Sequence, residues 1–230
     1  MCGRFVRRCT VDEVKEEFEI WDIEWAFEPS YNIAPGQDIA GIVGKNDEKQ
    51  LIKLRWGLIP FWAKDEKIGY KMINARSETL AQKRSFAGSF KTRRCLIVAD
   101  GFYEWRVEKK IKIPMYLHLQ SNKPFGFAGL YDTWKAPDGN RIISCTIITT
   151  EPNTLVKPIH NRMPVILEKD KRAVWLDTKI EDPEVLMPLL KPYNAKDMKA
   201  YEVTRMVNSP KFNSEDCIKP VITPKKQNLF

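Results

Sequence analysis

Apolar residues along this chain fall mostly in short runs rich in β-branched and aromatic side chains, with polar or turn-forming residues between them. Residues 38–45 (DIAGIVGK) and 50–59 (QLIKLRWGLI) read as two strands joined by the polar turn Asn46-Asp47-Glu48. Further strands are expected at 95–106, 113–120, 124–132 and 142–150, with a short one from Pro164 to Leu167 and a last one near 200–207. Helical spacing is rarer. Thr10 with Glu13 has the pattern of a capping box opening a helix to about Ile20, with Val11, Val14 and Phe18 on one face. Ser77 is a candidate N-cap for a helix running to about Arg84, and a second short helix is expected over 86–93. Helices are also expected at about 169–176 and 183–190, the latter with Asp182 as N-cap and Pro183 in its first turn. Asn153 can cap one helical turn ahead of His160.

Two segments read as neither strand nor helix. Tyr31-Asn32-Ile33-Ala34-Pro35-Gly36 has the Asn, Pro and Gly of an ordered turn, and Pro60-Phe61-Trp62 reads as a loop with exposed aromatics. The strands come in succession instead of alternating with helices. That argues against a doubly wound parallel sheet. The expected fold is α+β: a single compact domain over residues 1–221, with a largely antiparallel, β-barrel-like core flanked by short helices. Residues 222–230 are expected to form a polar tail, in which Lys225 and Lys226 are solvated.

Bulk properties narrow the function. The 230 residues are 43% hydrophobic and 30% charged, as in a soluble globular protein. No apolar run approaches the ~20 residues that span a bilayer, and Arg4, Arg7 and Arg8 interrupt any secretory leader. A cytoplasmic location is expected, with no membrane partner. Five cysteines (an odd number), no CxxC and two histidines point away from both a zinc site and a disulfide framework. No metal or cofactor is expected. Cys95 and Cys145 lie in apolar runs and are expected in the core, whereas Cys9 and Cys217 carry no local signal. The net charge of +8 favours a polyanion such as nucleic acid, although a lysine-rich solubilising surface has the same composition. Basic residues cluster at Lys83-Arg84 and at Lys91-Thr92-Arg93-Arg94.

Candidate chemistry starts at Cys2. Aminopeptidases trim Met before small residues, and trimming here leaves a 1,2-aminothiol. Its amine titrates near ~8 and its thiol near ~8.5, so both have usable nucleophilic fractions at neutral pH. Such a pair condenses with an aldehyde to an imine and closes to a five-membered thiazolidine. The plain alternative is a small hydrophobe at position 2. Four polar side chains lack an easy packing role: Arg4, Asn74, Glu104 among aromatics (DGFYEW), and His160 between two prolines (PIHNRMP). Asn74 can also be a turn or cap residue, Glu104 the solvent face of an edge strand, and His160 a loop histidine. A carboxylic acid in an aromatic pocket and a histidine could move the protons that aldehyde capture requires. Trp62, Trp105 and Trp134 can be core or rim aromatics as readily as base-stacking platforms.

MCGRF at the start, YNIAPG at 31–36, RWGLIP at 55–60, INARSET at 73–79, DGFYEW at 100–105 and HNRMP at 160–164 occur in order. Together they closely resemble the SRAP family of SOS-response-associated peptidase-like proteins, over about residues 2–221. The family includes bacterial proteins and the eukaryotic abasic-site-processing protein. The resemblance implies a sensor and shield of abasic sites in single-stranded DNA, including single-strand/double-strand junctions. It implies Cys2 as the nucleophile that forms a thiazolidine with the ring-opened sugar. Asn74 would position sugar and amine, Glu104 would assist ring opening and Schiff-base proton transfer, and His160 would serve proton transfer and crosslink reversal. Arg4, Arg76, Arg84 and Arg162 match positions that hold phosphates, and Asn32, Pro35, Trp62 and Thr149 match the DNA groove. A monomer, nucleoid-associated when bound to DNA, is expected. The competing readings are a cysteine peptidase or autoprotease acting on Met1 or other peptides, and a nucleic-acid-binding module in which Cys2 is incidental.

Overall fold

The structure is a computed structural model that describes residues 2–45 and 48–221. Met1, the Asn46-Asp47 part of the expected turn, and the expected tail with Lys225 and Lys226 lie outside the described residues. In chain order the strands are β1 (Phe5–Arg7), β2 (Asp22–Ile23), β3 (Ser30–Ile33), β4 (Asp38–Lys45), β5 (Glu48–Trp56), β6 (Asn74–Arg76), β7 (Arg94–Ala99), β8 (Gly101–Glu108), β9 (Ile111–Leu119), β10 (Phe125–Lys135), β11 (Arg141–Thr150), β12 (Met163–Pro164), β13 (Ile166–Leu167) and β14 (Met198–Glu202). The α-helices are α1 (Val11–Phe18), α2 (Arg84–Thr92), α3 (Arg172–Leu176) and α4 (Pro183–Leu186).

Strands β11, β10, β7, β4 and β5 pair in that order, and β5 returns to β11 through Arg55–Ser144 and Trp56–Cys145. This closes a five-strand barrel. Closure leaves its strands no free edge of unpaired N–H and C=O groups. A second sheet runs β14-β9-β8-β1-β3. One face of the barrel strands (Ala40, Ile42, Leu96, Val98, Leu130, Ile148) packs against Val14 and Phe18 of α1, Phe86 and Phe90 of α2, and Trp175 of α3. The other face meets the second sheet in a cluster that includes Phe5, Phe102, Leu117, Phe127, Met198 and Cys2. The α+β barrel reading holds.

The capping box at Thr10 and Glu13 is formed, and Asp182 caps α4 through the Glu184 N–H. Other expectations need correction. The run 95–106 is two strands in two sheets, parted at Asp100. The Asp100 carboxylate accepts the N–H groups of Arg8 (2.7 Å) and Cys9 (2.9 Å) and turns the chain there. Gly101 follows, where a Cβ would lie 2.5 Å from the Tyr116 ring. Apolar residues flank Asp100 on both sides, so the pattern alone does not show the break.

Residues 31–33, read as part of a turn, belong to β3, with Ile33 paired to Phe5 of β1. The turn comes after it, at Pro35 and Gly36, and Gly36 takes the left-handed φ of 88° that favours glycine. Glu48, expected in a turn, begins β5 opposite Lys45, and β5 stops at Trp56. The helix expected from Ser77 is a single 3-10 turn, Ser77–Thr79. Residues 81–84 are all exposed, so no apolar face favours extending it. The last strand is β14, and 205–208 form a 3-10 turn instead.

Candidate active site and DNA-facing surface

Cys2 is fully buried just ahead of β1. Strand β1 pairs with β8 (Phe5–Phe102, Val6–Gly101), and the Tyr103 N–H bonds the Arg4 carbonyl at 2.9 Å. These bonds lay the N-terminal segment beside the strand that carries Glu104. Asn74 reaches the same place from another element. Strand β6 lies parallel to β11, with Asn74 opposite Ile147, and the Asn74 Nδ2 donates to the Cys2 carbonyl at 2.7 Å. The Asn74 Oδ1 is buried and has no hydrogen-bond partner among the described residues.

His160 arrives on a third element. The Asn153 Oδ1 accepts the N–H groups of Leu155 and Val156, and the His160 N–H closes the turn on the Val156 carbonyl at 2.9 Å. The Arg162 N–H donates to His160 Nδ1 at 3.0 Å. Nδ1 is then the acceptor of the neutral ring, so the ring proton sits on Nε2. Nε2 lies 4.0 Å from Glu104 Oε2. The Arg162 carbonyl lies 3.2 Å from Nδ1.

Electrostatics follow from burial. Glu104 is 2% exposed, and desolvation raises its carboxyl above the ordinary range, opposed by the attraction of His160. The Cys2 thiol is pushed far up, first by burial and then by the Glu104 charge. A cavity of about 500 Å³ opens beside Glu104 and His160, lined also by Trp105, Val107, Lys112 and Asn208. The Trp105 indole is pinned at its rim by an Nε1–H bond to Asn208 Oδ1 at 2.8 Å.

The structure thus brings Cys2, Asn74, Glu104 and His160 to one place. The expected DNA-facing residues divide. Arg76, Arg84 and Trp62 are exposed, Pro35 is half-buried at its turn, and the Arg84 guanidinium stands 5.1 Å from the Trp62 ring centre. Arg4, half-buried, donates to Asn32 Oδ1 and to the Val207 carbonyl, both at 2.7 Å. Burial lowers its affinity for a proton. Asn32 is buried, and its amide ties down the carbonyls of Val207, Ser209 and Phe212. Thr149 is buried too, with its Oγ1 near the Ala75 carbonyl at 3.4 Å. Arg162 is paired to Glu78.

Lys112, Val107 and Asn208 at the cavity carried no sequence signal, and Glu78 beside Arg162, although inside the INARSET motif, was given no role. They belong to the site only through strand pairing and loop closure. Among the described residues, no group of three His, Cys, Asp or Glu side chains is placed to hold a metal ion, and no helix is long and apolar enough to cross a membrane.

Comparison with known proteins gives this arrangement a context. Residues 1–210 match the family model described as SOS response associated peptidase (SRAP). The chain is 53% identical to the abasic site processing protein YoqW of Bacillus subtilis, across 95% of this chain and 99% of that protein. It is 30% identical to the abasic site processing protein HMCES of Gallus gallus, across 87% of this chain and 69% of that protein. A crystal structure of a Bacteroides thetaiotaomicron protein superposes with a TM-score of 0.86 at 27% identity, across 96% of this chain and all of that one. The chain belongs to the SOS response associated peptidase family.

Proposed function

We propose that this protein captures abasic sites in single-stranded DNA covalently, through the α-amine and thiol of Cys2 once Met1 is removed. The observation that carries the reading is the convergence of Asn74, Glu104 and His160 on a buried Cys2. The names of the relatives, abasic site processing proteins, point to the same lesion.

In the ring-opened sugar, C1′ is an aldehyde carbon. The Cys2 amine adds to it to give a carbinolamine. A proton delivered to the hydroxyl lets it leave as water, and the iminium left behind gives up its nitrogen proton to become an imine. The Cys2 sulfur then bonds to the same carbon while the thiol proton passes to the nitrogen. A thiazolidine results, with one water released overall. Glu104 suits the acid step, because burial keeps its carboxyl protonated to higher pH than an exposed glutamate. His160, with Nε2 toward Glu104, suits return of the proton and reversal. Asn74 holds the Cys2 carbonyl and so fixes where the amine sits.

The raised thiol favours this reading over a cysteine peptidase. A peptidase needs a thiolate, usually made by a neighbouring histidine or positive charge. Here the hydrogen bond from Cys2 Sγ goes to the Arg4 carbonyl, and burial beside Glu104 favours the neutral thiol. Thiazolidine closure can use that neutral form, because its proton is consumed in the step. The exposed aromatics Phe61 and Trp62, with Arg84 beside Trp62, suit unpaired bases and a phosphate backbone.

The test is a denaturing gel with Met-free protein and single-stranded DNA carrying one abasic site. A heat-stable shifted band is expected from the native protein and none from Cys2→Ala, which should still bind DNA in a salt-sensitive way. No band from the native protein, with peptide hydrolysis retained, would move the reading to a peptidase. An equal band from Cys2→Ala would remove Cys2 as nucleophile.

A further inference from the structure

Arg162 has more than one partner, and the partners lie on different parts of the site. Its Nη1 and Nη2 donate to Glu78 Oε1 at 2.6 Å and Oε2 at 3.0 Å, a two-pronged pair. Nη2 also donates to the Thr149 carbonyl at 2.6 Å. Its own backbone N–H holds His160 Nδ1. Glu78 sits in the 3-10 turn directly after β6, the strand that bears Asn74. The Glu78–Arg162 pair therefore ties the segment carrying Asn74 to the segment carrying His160, over the end of β11.

The chemistry of the pair is that of a fixed strut. Hydrogen bonding to Arg162 holds the Glu78 carboxyl below its ordinary range. The Glu78 side chain is half exposed and the Arg162 side chain largely buried, at 52% and 15%. With its carboxylate half exposed and screened by water, a pair of this kind adds little to stability, roughly 0–1 kcal/mol. Its geometry does more, because a planar guanidinium gripped at two nitrogens and at a carbonyl has one orientation left.

We infer that Glu78 is a positioning residue: it sets the Arg162 side chain for a DNA phosphate and, through the Arg162 backbone, keeps His160 in the Nε2–H form facing Glu104. The second half rests on the proposed abasic-site chemistry, and the first only on DNA binding. The inference runs against simple electrostatics. Removing a carboxylate from a basic surface ordinarily strengthens DNA binding. Losing a positioning residue weakens it.

A double-mutant cycle on intact single-stranded DNA tests this, with Glu78→Ala, Arg162→Ala and the pair. Glu78→Ala is expected to weaken binding about threefold to tenfold, with the melting temperature shifted by no more than about 3 °C. In the Arg162→Ala background the same change is expected to have no further weakening effect. Glu78→Asp and Glu78→Gln are expected to recover part of the loss, since each keeps an acceptor toward Arg162. Tighter binding by Glu78→Ala, or effects that simply add, would overturn the inference. Nitrogen NMR of His160 in the DNA-free protein gives a readout independent of binding. A neutral ring with its proton on Nε2 in the native protein, redistributed toward Nδ1 in Glu78→Ala, is expected, and an unchanged tautomer in the variant would overturn the His160 half. Failure of the native protein to crosslink abasic DNA would sink the proposed function while leaving both readouts interpretable.

Discussion

Asp100 and Glu104 lie four residues apart, both nearly inaccessible at 4% and 2% exposure, and burial raises the carboxyl of each. Their surroundings differ. Asp100 receives the backbone N–H groups of Arg8 and Cys9 on one oxygen, with the Arg8 guanidinium 3.7 Å from the other. These contacts bend the chain from the barrel into the second sheet. Glu104 faces an imidazole at 4.0 Å, raises the thiol of Cys2 and borders a cavity. A raised carboxyl is therefore no mark of function by itself. What distinguishes Glu104 is that its neighbours can exchange protons and that a substrate-sized space lies beside it. The short hydrogen bonds of Asp100 go to backbone N–H groups, and Asp100 does not line that cavity.

The comparison can be broken in several ways, the strongest first. Glu104→Gln removes the acid while keeping the shape. Capture of abasic DNA is expected to slow by about 10²–10⁴-fold, followed as initial crosslinking rate on a denaturing gel. A loss under threefold would put the acid elsewhere. Asp100→Asn keeps the volume but leaves an NH₂ where a carboxylate oxygen accepted N–H groups. It is expected to cost about 2–4 kcal/mol in chemical unfolding, with the capture rate of the folded fraction within about threefold of native. If that variant instead lost capture at full stability, the assignments of the two carboxylates would be reversed.

His160→Ala is expected to slow crosslink reversal by about tenfold or more, and to affect capture less, when a trapped complex is chased with excess unlabelled abasic DNA. Equal slowing of both steps would make His160 a general positioning group instead. The smallest effect is in stability against pH. The folded-state value of Glu104 lies above its unfolded one, so folding holds the proton more tightly. Its contribution is greatest below the ordinary carboxylate range and is lost as pH rises through the folded value. Glu104→Gln should accordingly melt higher than native at pH 7–8, by about 2–4 °C for each kcal/mol recovered. The gap should close near pH 4, and a gap independent of pH would show that packing, not ionisation, causes it.

How much was legible in the chain depends on the range of the interaction involved. The capping box at Thr10 and Glu13, the Asp182 cap and the Asn153 turn are settled by atoms a few residues apart, and each is present as expected. The Asp100 break, strand β3 and the shortened turn at Ser77 are not local. The first depends on N–H groups about ninety residues away. The second depends on pairing with β1 and on the Asn32 amide bonding carbonyls beyond residue 206. The third depends on residues 81–83 being exposed, with no apolar side chain among them turned to the core. Among the expected DNA-facing residues, Trp62, Arg76 and Arg84 show on the surface, whereas Asn32 and Thr149 are buried. A residue type in a motif does not reveal which way its side chain turns.

The amino-acid sequence by itself determined the class of fold, the ordered motifs of the family and the residue types available for chemistry, because alternation, caps and motif order are properties of neighbours along the chain. Tertiary structure alone decided that Cys2 is buried, that Asn74 meets its carbonyl, that Glu104 loses its water and that Arg162 is gripped by Glu78. Those outcomes depend on β1 lying on β8 and β6 lying on β11, pairings between residues about a hundred and about seventy positions apart. Desolvation, and the shifted proton affinities that follow from it, exist only once those strands have closed around the site.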